Sequence, residues 1–489
     1  MKKFYITTPI YYPNSEPHIG TAYTTIVCDV LARWNKLLGN EVFFLTGTDE
    51  HGKKIENVAK ENNQNPKEFV DSMLIKFKEA WTQLNINYDR FIRTTDKDHE
   101  EVVQNILQKI YDNKDIYLGE YEGYYCTSCE AYYVENDLKD LKCPIHNIKI
   151  EKLKEKSYFF KLSKYQKKLL DFFEKNPKFI EPEFRKKEII KRVKEGLHDL
   201  SISRTSFKWG VELPFDKKHI AYVWGDALLN YISGVGYIKD KKLFNKFWPA
   251  DLHLVAKDIQ WFHCVIWPAL LLSAKVKLPK KVFSHGFLTI KKEKVSKSGK
   301  MITVKELEKY PSDSIRYYLI REVPFGQDGD FSEDSLKNRL NNELANELGN
   351  LLSRVLTLTD KNFNGKIKSY TLEKELTTKL NLKKIQDYIE SYELHNALSE
   401  IFRFISECNK FINKEKLWEQ KDKKLEKNLY SLLESLRIIS ILISPFTPNT
   451  SEKINKQLNI KQGLLKDCKF NLVKSYSTKK GEILFKKIK

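Results

Sequence analysis

The sequence contains no uninterrupted apolar run of roughly 18 residues, which excludes a membrane-spanning helix of ordinary length. Its start, Met1-Lys2-Lys3-Phe4-Tyr5-Ile6-Thr7-Thr8-Pro9, turns polar and reaches proline before the apolar core of a secretion signal can form. No leader is therefore expected. Internal repeats and long low-complexity tracts are missing too, while 41 % of the residues are hydrophobic, so fibrous and wholly disordered classes are excluded. Cysteine is scarce, with seven residues at positions 28, 126, 129, 143, 264, 408 and 468. An odd count without a leader argues against a disulfide framework and for a reducing compartment, so a cytoplasmic location is expected.

What is present is length, positive charge and one cysteine cluster. The 489 residues correspond to about three domains at roughly 100–200 residues each. Eighty-five Lys and Arg against 65 Asp and Glu give a net charge of +20, which invites a polyanionic partner. Compositional drift towards Lys, Asn and Ile is the competing explanation of that charge.

The first hundred residues alternate strand and helix. Phe4–Thr8 reads as a strand ended by Pro9. Tyr23, Ile26, Val27, Val30, Leu31, Trp34, Leu37 and Leu38 then fall at helical spacing, with Gly39 as the stop. Val42–Leu45 reads as a short buried strand before the polar turn Thr46–Gly52, and Tyr88–Thr94 as a third strand. This alternation predicts a parallel sheet with ligands at the carboxyl ends of its strands. From about Gly119 to residue 215 the text becomes Tyr-, Cys- and then Lys-rich, which reads as an insertion. Ile220–Trp224, Asp251–Val255, the helix Gln260–Leu272 and Val282–Ile290 are expected to form the second half of the same sheet. Helical period dominates from about Asn341 to Leu458, and the basic C-terminal tail is expected to be a solvated end.

Three motifs carry chemistry. Pro17-His18-Ile19-Gly20-Thr21 sits where a loop enters the first helix; a helix start offers free N–H groups to phosphate, His18 adds a donor and Gly20 permits close approach. Lys294-Val295-Ser296-Lys297-Ser298-Gly299 is a basic loop able to close over a triphosphate and neutralise leaving pyrophosphate. Cys126-x2-Cys129-x13-Cys143-x2-His146 supplies four N/S ligands, the set that a tetrahedral structural zinc ion takes. A helix cap, a surface loop and core cysteines are the respective bland readings.

The first two motifs together, each in its own half of a split sheet, resemble the HIGH and KMSKS motifs of class I aminoacyl-tRNA synthetases. The stretches TTPIYYPNSEPHIG, FFLTGTDEHG, AYVWGDALLNY, AKDIQWFHCVIWPALL and ELGNLLSRVLTL are similar to the methionyl-tRNA synthetase family, nearly end to end and in its order. The resemblance implies an α/β fold: a split Rossmann-like parallel-sheet catalytic domain with a zinc-binding insertion, then an α-helical anticodon-binding bundle. Its expected parts are residues 1–115 and 216–290 for the two catalytic halves, 116–215 for the connective insertion over the tRNA acceptor end, 291–340 for the linking segment and 341–489 for the helical domain. It implies a ligase that joins methionine to tRNA(Met) through an adenylate, with ATP and Mg2+ as substrate, one structural zinc ion, no membrane contact and a monomeric state.

Residue by residue, the resemblance places His18 and Lys297 in catalysis. It places Pro17, Ile19, Gly20, Thr21, Lys294, Ser296, Ser298, Asp258 and Gly286 around ATP. Ile10, Tyr12, Trp224, Ala227, Tyr231, Ile259, Phe262 and His263 would surround the methionine side chain, and Asp49 would hold its ammonium group. Asn346, Asn350 and Arg354 would read the anticodon. Two departures stand out. Thr21 replaces the second His of HIGH, and one lost hydrogen bond of about 0.5–3 kcal/mol could slow activation by up to roughly a hundredfold. The anticodon-stacking tryptophan has no evident position; Phe446 is a weak substitute, and Trp418 lies in a stretch resembling the family's Lys-Pro-Trp with Leu417 in place of proline. A catalytically dead tRNA-binding relative and a class I ligase for another amino acid, such as cysteine, are the competing functions.

Overall fold

The computed structural model describes residues 2–126, 131–133, 138, 140–144, 147–290, 293–294 and 302–488. Cys129, His146, Val295, Ser296, Lys297 and Ser298 lie outside the described residues, as does the side chain of Lys294.

The strands β1 (Lys3–Thr7), β2 (Glu41–Thr48), β3 (Arg90–Arg93), β4 (Ile180–Glu181), β5 (Leu252–Ala256) and β6 (Val282–His285) form one sheet in the order β3-β2-β1-β5-β6-β4. Every pairing is parallel. Their apolar runs are buried on both faces, as a helix-covered parallel sheet requires. The chain moves outward from β1 first to one side and then to the other, so a crevice opens at the carboxyl ends between β1 and β5.

The helices that matter for the site are α1 (Ile19–Leu37), α2 (Lys97–Asp112), α3 (Val223–Ala227), α4 (Asn230–Ser233) and α5 (Ser312–Glu322). Beyond them α6 (Asn350–Phe363), α7 (Leu394–Lys414), α8 (Asp422–Ile443) and α9 (Pro448–Leu458) build the helical part. Gly39, at φ +80°, ends the first helical segment in the left-handed region, as its sequence position suggests.

Three expectations are corrected. Ile220–Trp224 is not in the main sheet: Asp216–Ala221 pairs antiparallel with Glu212–Leu213 and Ser203–Arg204, and Trp224 belongs to α3. A short apolar run reads alike as buried strand or buried helix. Val282–Ile290 is two strands, for Leu288–Ile290 joins a separate sheet with Glu293–Lys294 and Gly329–Asp330. The break comes at Gly286, where any Cβ would lie 2.3 Å from the Gln327 backbone. The expected helix Gln260–Leu272 is present, with a π-turn over Phe262–Ile266 before the α-segment Trp267–Ser273, where Pro268 has no N–H to close an α-turn. Finally, the tail is docked: Ser475–Ser477 pairs with Lys366–Lys368, and Leu484 and Phe485 are buried. At its end the Ile488 N–H donates to Asn341 Oδ1 at 2.9 Å, and Asn341 Nδ2 donates to the Ile488 carbonyl at 2.8 Å.

The insertion contributes an antiparallel hairpin, Ile116–Cys126 against Glu151–Phe160. Within its span, β4 returns to pair with β6 in the central sheet.

Candidate active site

The start of α1 is built around His18. Its backbone is extended, and its Nδ1 accepts from the Gly20 N–H at 3.0 Å. A ring nitrogen that accepts carries no proton, so the imidazole holds its proton on Nε2. Gly20 is required by that arrangement, since a Cβ there would meet the ring at 2.9 Å. Thr21 completes the cap: its hydroxyl accepts from the His18 N–H at 3.1 Å and donates to the His18 carbonyl at 2.7 Å. The residue that departs from the HIGH pattern thus closes the helix end around His18.

Across from this loop runs the segment just after residues 295–301. The Ile19 N–H donates to the Ile302 carbonyl at 3.0 Å, and the Val304 N–H to the Pro17 carbonyl at 3.0 Å. The first expected nucleotide motif is therefore joined by backbone pairing to Ile302–Val304, through the His18–Thr303 bridge.

On the β5–β6 side, Gly286 packs on the backbone of Gln327 and Asp328. The Phe287 N–H donates to Asp328 Oδ1 at 2.8 Å, and Lys257 Nζ reaches Asp328 Oδ2 at 2.6 Å while lying 4.5 Å above the Phe287 ring. His285 is buried between Thr24, 2.8 Å from its Nε2, and the Gly286 carbonyl, and burial holds its pKa at about 4. Asp258 is exposed at the end of β5, and its charge bears on both His285 and His263.

The aromatic residues expected around methionine cluster on α3, α4 and the π-turn. Trp224 stacks on Phe262 with ring centroids 3.7 Å apart and 10° between planes. His263 donates from Nδ1 to the Ile259 carbonyl at 2.9 Å, which leaves Nε2 to accept from the Tyr231 hydroxyl at 2.7 Å. Burial depresses His263 to about 4, so the imidazole is neutral at physiological pH. Ile10 packs against the same apolar cluster and Ala227 is buried in α3, whereas Tyr12 packs with Ile55, Phe69 and Trp209 next door. Asp49 is buried just beyond β2, its N–H held by the Tyr11 carbonyl at 2.8 Å.

Two further features lie away from this crevice. Asn346 and Asn350 are exposed, Asn346 in a π-helical stretch (Leu340–Gly349) and Asn350 at the first turn of α6. Arg354, one α-turn on, donates to Asn413 Oδ1 at 2.6 Å, and its guanidinium lies 5.9 Å from the ring centre of Trp418, which is 55 % exposed. In the insertion, Cys126 and Cys143 are buried in one small cluster with Ile150. The chain turns back there, with Asn147 N–H bonded to the Cys143 carbonyl at 2.8 Å and Cys143 N–H to the Ile148 carbonyl at 2.9 Å.

Residues 4–151 and 133–356 match the family model described as tRNA synthetases class I (M), and residues 374–486 match the anticodon-binding domain of tRNA ligases. A methionine–tRNA ligase of Caldanaerobacter subterraneus subsp. tengcongensis is 49 % identical over 504 aligned residues, covering 100 % of this chain and 79 % of the relative. The chain belongs to the methionine–tRNA ligase family. The ligase of Thermotoga maritima is 45 % identical, with 99 % of this chain and 80 % of the relative covered. Mycobacterium tuberculosis methionyl-tRNA synthetase bound by methionyl-adenylate superposes with a TM-score of 0.95 at 37 % identity, covering 99 % of this chain and 100 % of the other. Its free form superposes with a TM-score of 0.87 at 36 % identity, covering 100 % and 99 %.

The structure brings Ile10, Trp224, Tyr231, Ile259, Phe262 and His263 together through one apolar cluster and its ring contacts, buries Ala227 in α3 beside Asp226, and sets Pro17–Thr21 at the start of α1. Sequence reasoning missed the groups behind them. Asp226 is fully buried, 2.7 Å from His51 Nδ1 and 2.7 Å from His99 Nε2. Glu50 is fully buried too, accepting from Thr48, Thr95 and Arg93. The one available signal was the turn Asp49-Glu50-His51, whose partners lie far along the chain. Trp418 was within reach of sequence reasoning, since it lies in the stretch that resembles Lys-Pro-Trp.

Proposed function

We propose that the chain activates methionine with ATP and transfers it from methionyl-adenylate to the 3′ end of tRNA(Met), with His18 as the chief group of the first step. The observation that carries this reading is the His18 cap at the start of α1, whose Nδ1 accepts from the Gly20 N–H and so keeps the imidazole proton on Nε2. In the first step the methionine carboxylate attacks the α-phosphorus of Mg2+-bound ATP. The new P–O bond forms as the bond to pyrophosphate breaks, and the pair of electrons leaves on pyrophosphate. No base is needed, because the attacking carboxylate is already ionised. His18 Nε2–H and Lys297 stabilise charge on the phosphoryl oxygens; Lys294, Ser296 and Ser298 position their loop, and Gly286 and Asp258 border the adenosine. Asp49 supplies the counter-charge for the methionine ammonium group. Trp224, Phe262 and Tyr231 meet a polarisable thioether with ring edges and faces, and neutral His263 leaves no charge to favour a charged side chain. In the second step a terminal ribose hydroxyl of tRNA attacks the adenylate carbonyl carbon; the ester C–O bond forms as the bond to AMP breaks, and the hydroxyl proton passes to solvent.

Asn346, Asn350 and Arg354 offer hydrogen bonds to unstacked bases, and the exposed ring of Trp418 beside Arg354 offers a stacking platform. Cys126, Cys129, Cys143 and His146 form a closed set for one zinc ion, and the buried pair Cys126 and Cys143 at a chain reversal suits it. The ion would hold the insertion's fold. The domain boundaries given above, a monomeric state and action in the cytoplasm complete the proposal; among the described residues no helix is long and apolar enough to cross a membrane.

Methionine-dependent ATP–pyrophosphate exchange, followed by charging of tRNA(Met), tests the reading; absence of exchange sinks it. Arg354→Ala and Trp418→Ala are each expected to leave exchange within about twofold while lowering charging efficiency by 1–3 kcal/mol, about 5–150-fold, as loss of a stacked or hydrogen-bonded base costs. An equal fall in both steps would remove the anticodon assignment. Protein purified without chelators is expected to carry about one zinc per chain by elemental analysis, and Cys126→Ser to lose most of it along with thermal stability of the insertion.

A further inference from the structure

We propose that His51, Asp226 and His99 form a positioning device that sets the affinity for methionine by holding the loop of Asp49 against the helices of the aromatic pocket. This inference rests on the methionine-activating function proposed above. Asp226 stands in α3 between Trp224 and Ala227, two residues of the aromatic pocket. Its Oδ2 takes the His51 Nδ1 proton at 2.7 Å and its Oδ1 the His99 Nε2 proton at 2.7 Å. The far nitrogen of His99 is 2.8 Å from the Ser233 hydroxyl in α4, which also carries Tyr231. Both carboxylate oxygens are thus occupied by imidazoles, and Asp226 is 0 % exposed. It acts on methionine only through its neighbours.

Three separately folded pieces meet at this carboxylate: the loop after β2, the first turn of α2, and α3 with α4. The loop is held from behind as well. Glu50 binds the side chains of Thr48, Thr95 and Arg93, and its carbonyl accepts from Trp209 Nε1 at 2.6 Å. Asp49 has no latitude of its own, since it lies between Glu50 and the Tyr11 pairing. The distance from the ammonium-holding carboxylate to the thioether pocket is therefore set by the imidazole–carboxylate contacts.

A buried carboxylate is costly unless paired. The groups facing His51 are Asp226 from α3, Glu100 (4.0 Å from Nε2) and His99 from α2, and Glu50 and Asp49 from its own loop. Burial pulls the His51 imidazole down, but the charge and hydrogen bond of Asp226, with Glu100 and Glu50 behind, outweigh it and raise its pKa. Asp226 moves the opposite way: burial raises it, and His51 and His99 bring it below the usual carboxylate range. The attraction is therefore complete below the ordinary imidazole pKa and is lost as pH climbs through the raised one.

The test is the pH dependence of KM for methionine and of kcat in ATP–pyrophosphate exchange, with folding checked by circular dichroism. In the wild type, KM is expected to rise several-fold on the alkaline side while kcat changes less. Asp226→Asn keeps the shape, loses the charge, and is expected to raise KM by about tenfold or more at neutral pH and to flatten its alkaline rise. His51→Asn, which retains a donor near the position of Nδ1, is expected to stay nearer the wild-type KM at neutral pH and likewise to lose the alkaline rise; it decides the matter if Asp226→Asn does not fold. A wild-type KM that is flat with pH, or folded variants whose KM follows the wild-type curve within about twofold, would overturn this inference alone. No exchange in the wild type would overturn it together with the proposed function.

Discussion

Replacing His18 with alanine is expected to slow methionine-dependent ATP–pyrophosphate exchange by about 10²–10³-fold, the cost typical of losing one preorganised donor to a charge that develops in the transition state. KM for methionine should change little, because His18 sits at the start of α1 while the clustered aromatics sit on α3, α4 and the π-turn. The magnitude depends on preorganisation, and the cap shows where it comes from. The Gly20 N–H fixes the tautomer, and Thr21 binds both backbone groups of His18. His18→Gln, whose amide nitrogen approximates Nε2, should recover part of the rate. Gly20→Ala should resemble His18→Ala although it removes no donor, since the added methyl takes the place of the ring. A rate for His18→Ala within threefold of wild type would remove His18 from the chemistry. Both rates are read directly in the exchange assay.

The second large effect is on stability. Arg316 and Asp29 are fully buried and 2.7 Å apart, and Arg316 also donates to the carbonyls of Pro445 at 2.8 Å, Phe446 at 2.9 Å and Leu84 at 3.2 Å. One guanidinium in α5 thereby joins α1, the end of α8 and the loop before β3. Arg316→Met keeps length and apolar packing but leaves a buried carboxylate and three carbonyls short of a donor. Removing one partner of such a pair is expected to cost about 3–5 kcal/mol. Arg33 softens the loss by holding the same carboxylate at 2.7 Å, but it is the more exposed partner and cannot reach the α8 carbonyls. The midpoint of chemical or thermal unfolding should fall clearly, and helical and catalytic parts should cease to unfold together. An unchanged midpoint would show that the joint draws its stability from apolar packing alone.

Local spacing made part of this site readable in advance. Pro17–Thr21 and the helix after it are contiguous, so the loop-to-helix junction, its glycine and the stop at Gly39 could be read off a few dozen residues. The pocket aromatics were named through family resemblance, because no periodicity distinguishes a ring that lines a pocket from one that fills a core. Asp226 could not be read at all: its partners His51 and His99 are 175 and 127 residues away, and only the fold brings them together. The two-residue strand Ile180–Glu181 was invisible for a different reason, since its pairing comes from β6 rather than from any pattern of its own. Trp224 was misread as strand because five apolar residues in a row suit either structure, and the π-turn at Phe262–Ile266 follows from Pro268 acting on the turn before it.

The reciprocal bond between Asn341 and Ile488 has a consequence for engineering. It ties the backbone of Ile488 to Asn341, inside the continuous helical run from Glu333 to Phe363, so the returning chain is pinned to that helix. A cut or fusion near residue 488 would therefore pull on that helix, whose buried residues share one apolar core with α1, and should lower the unfolding midpoint of the helical and catalytic parts together.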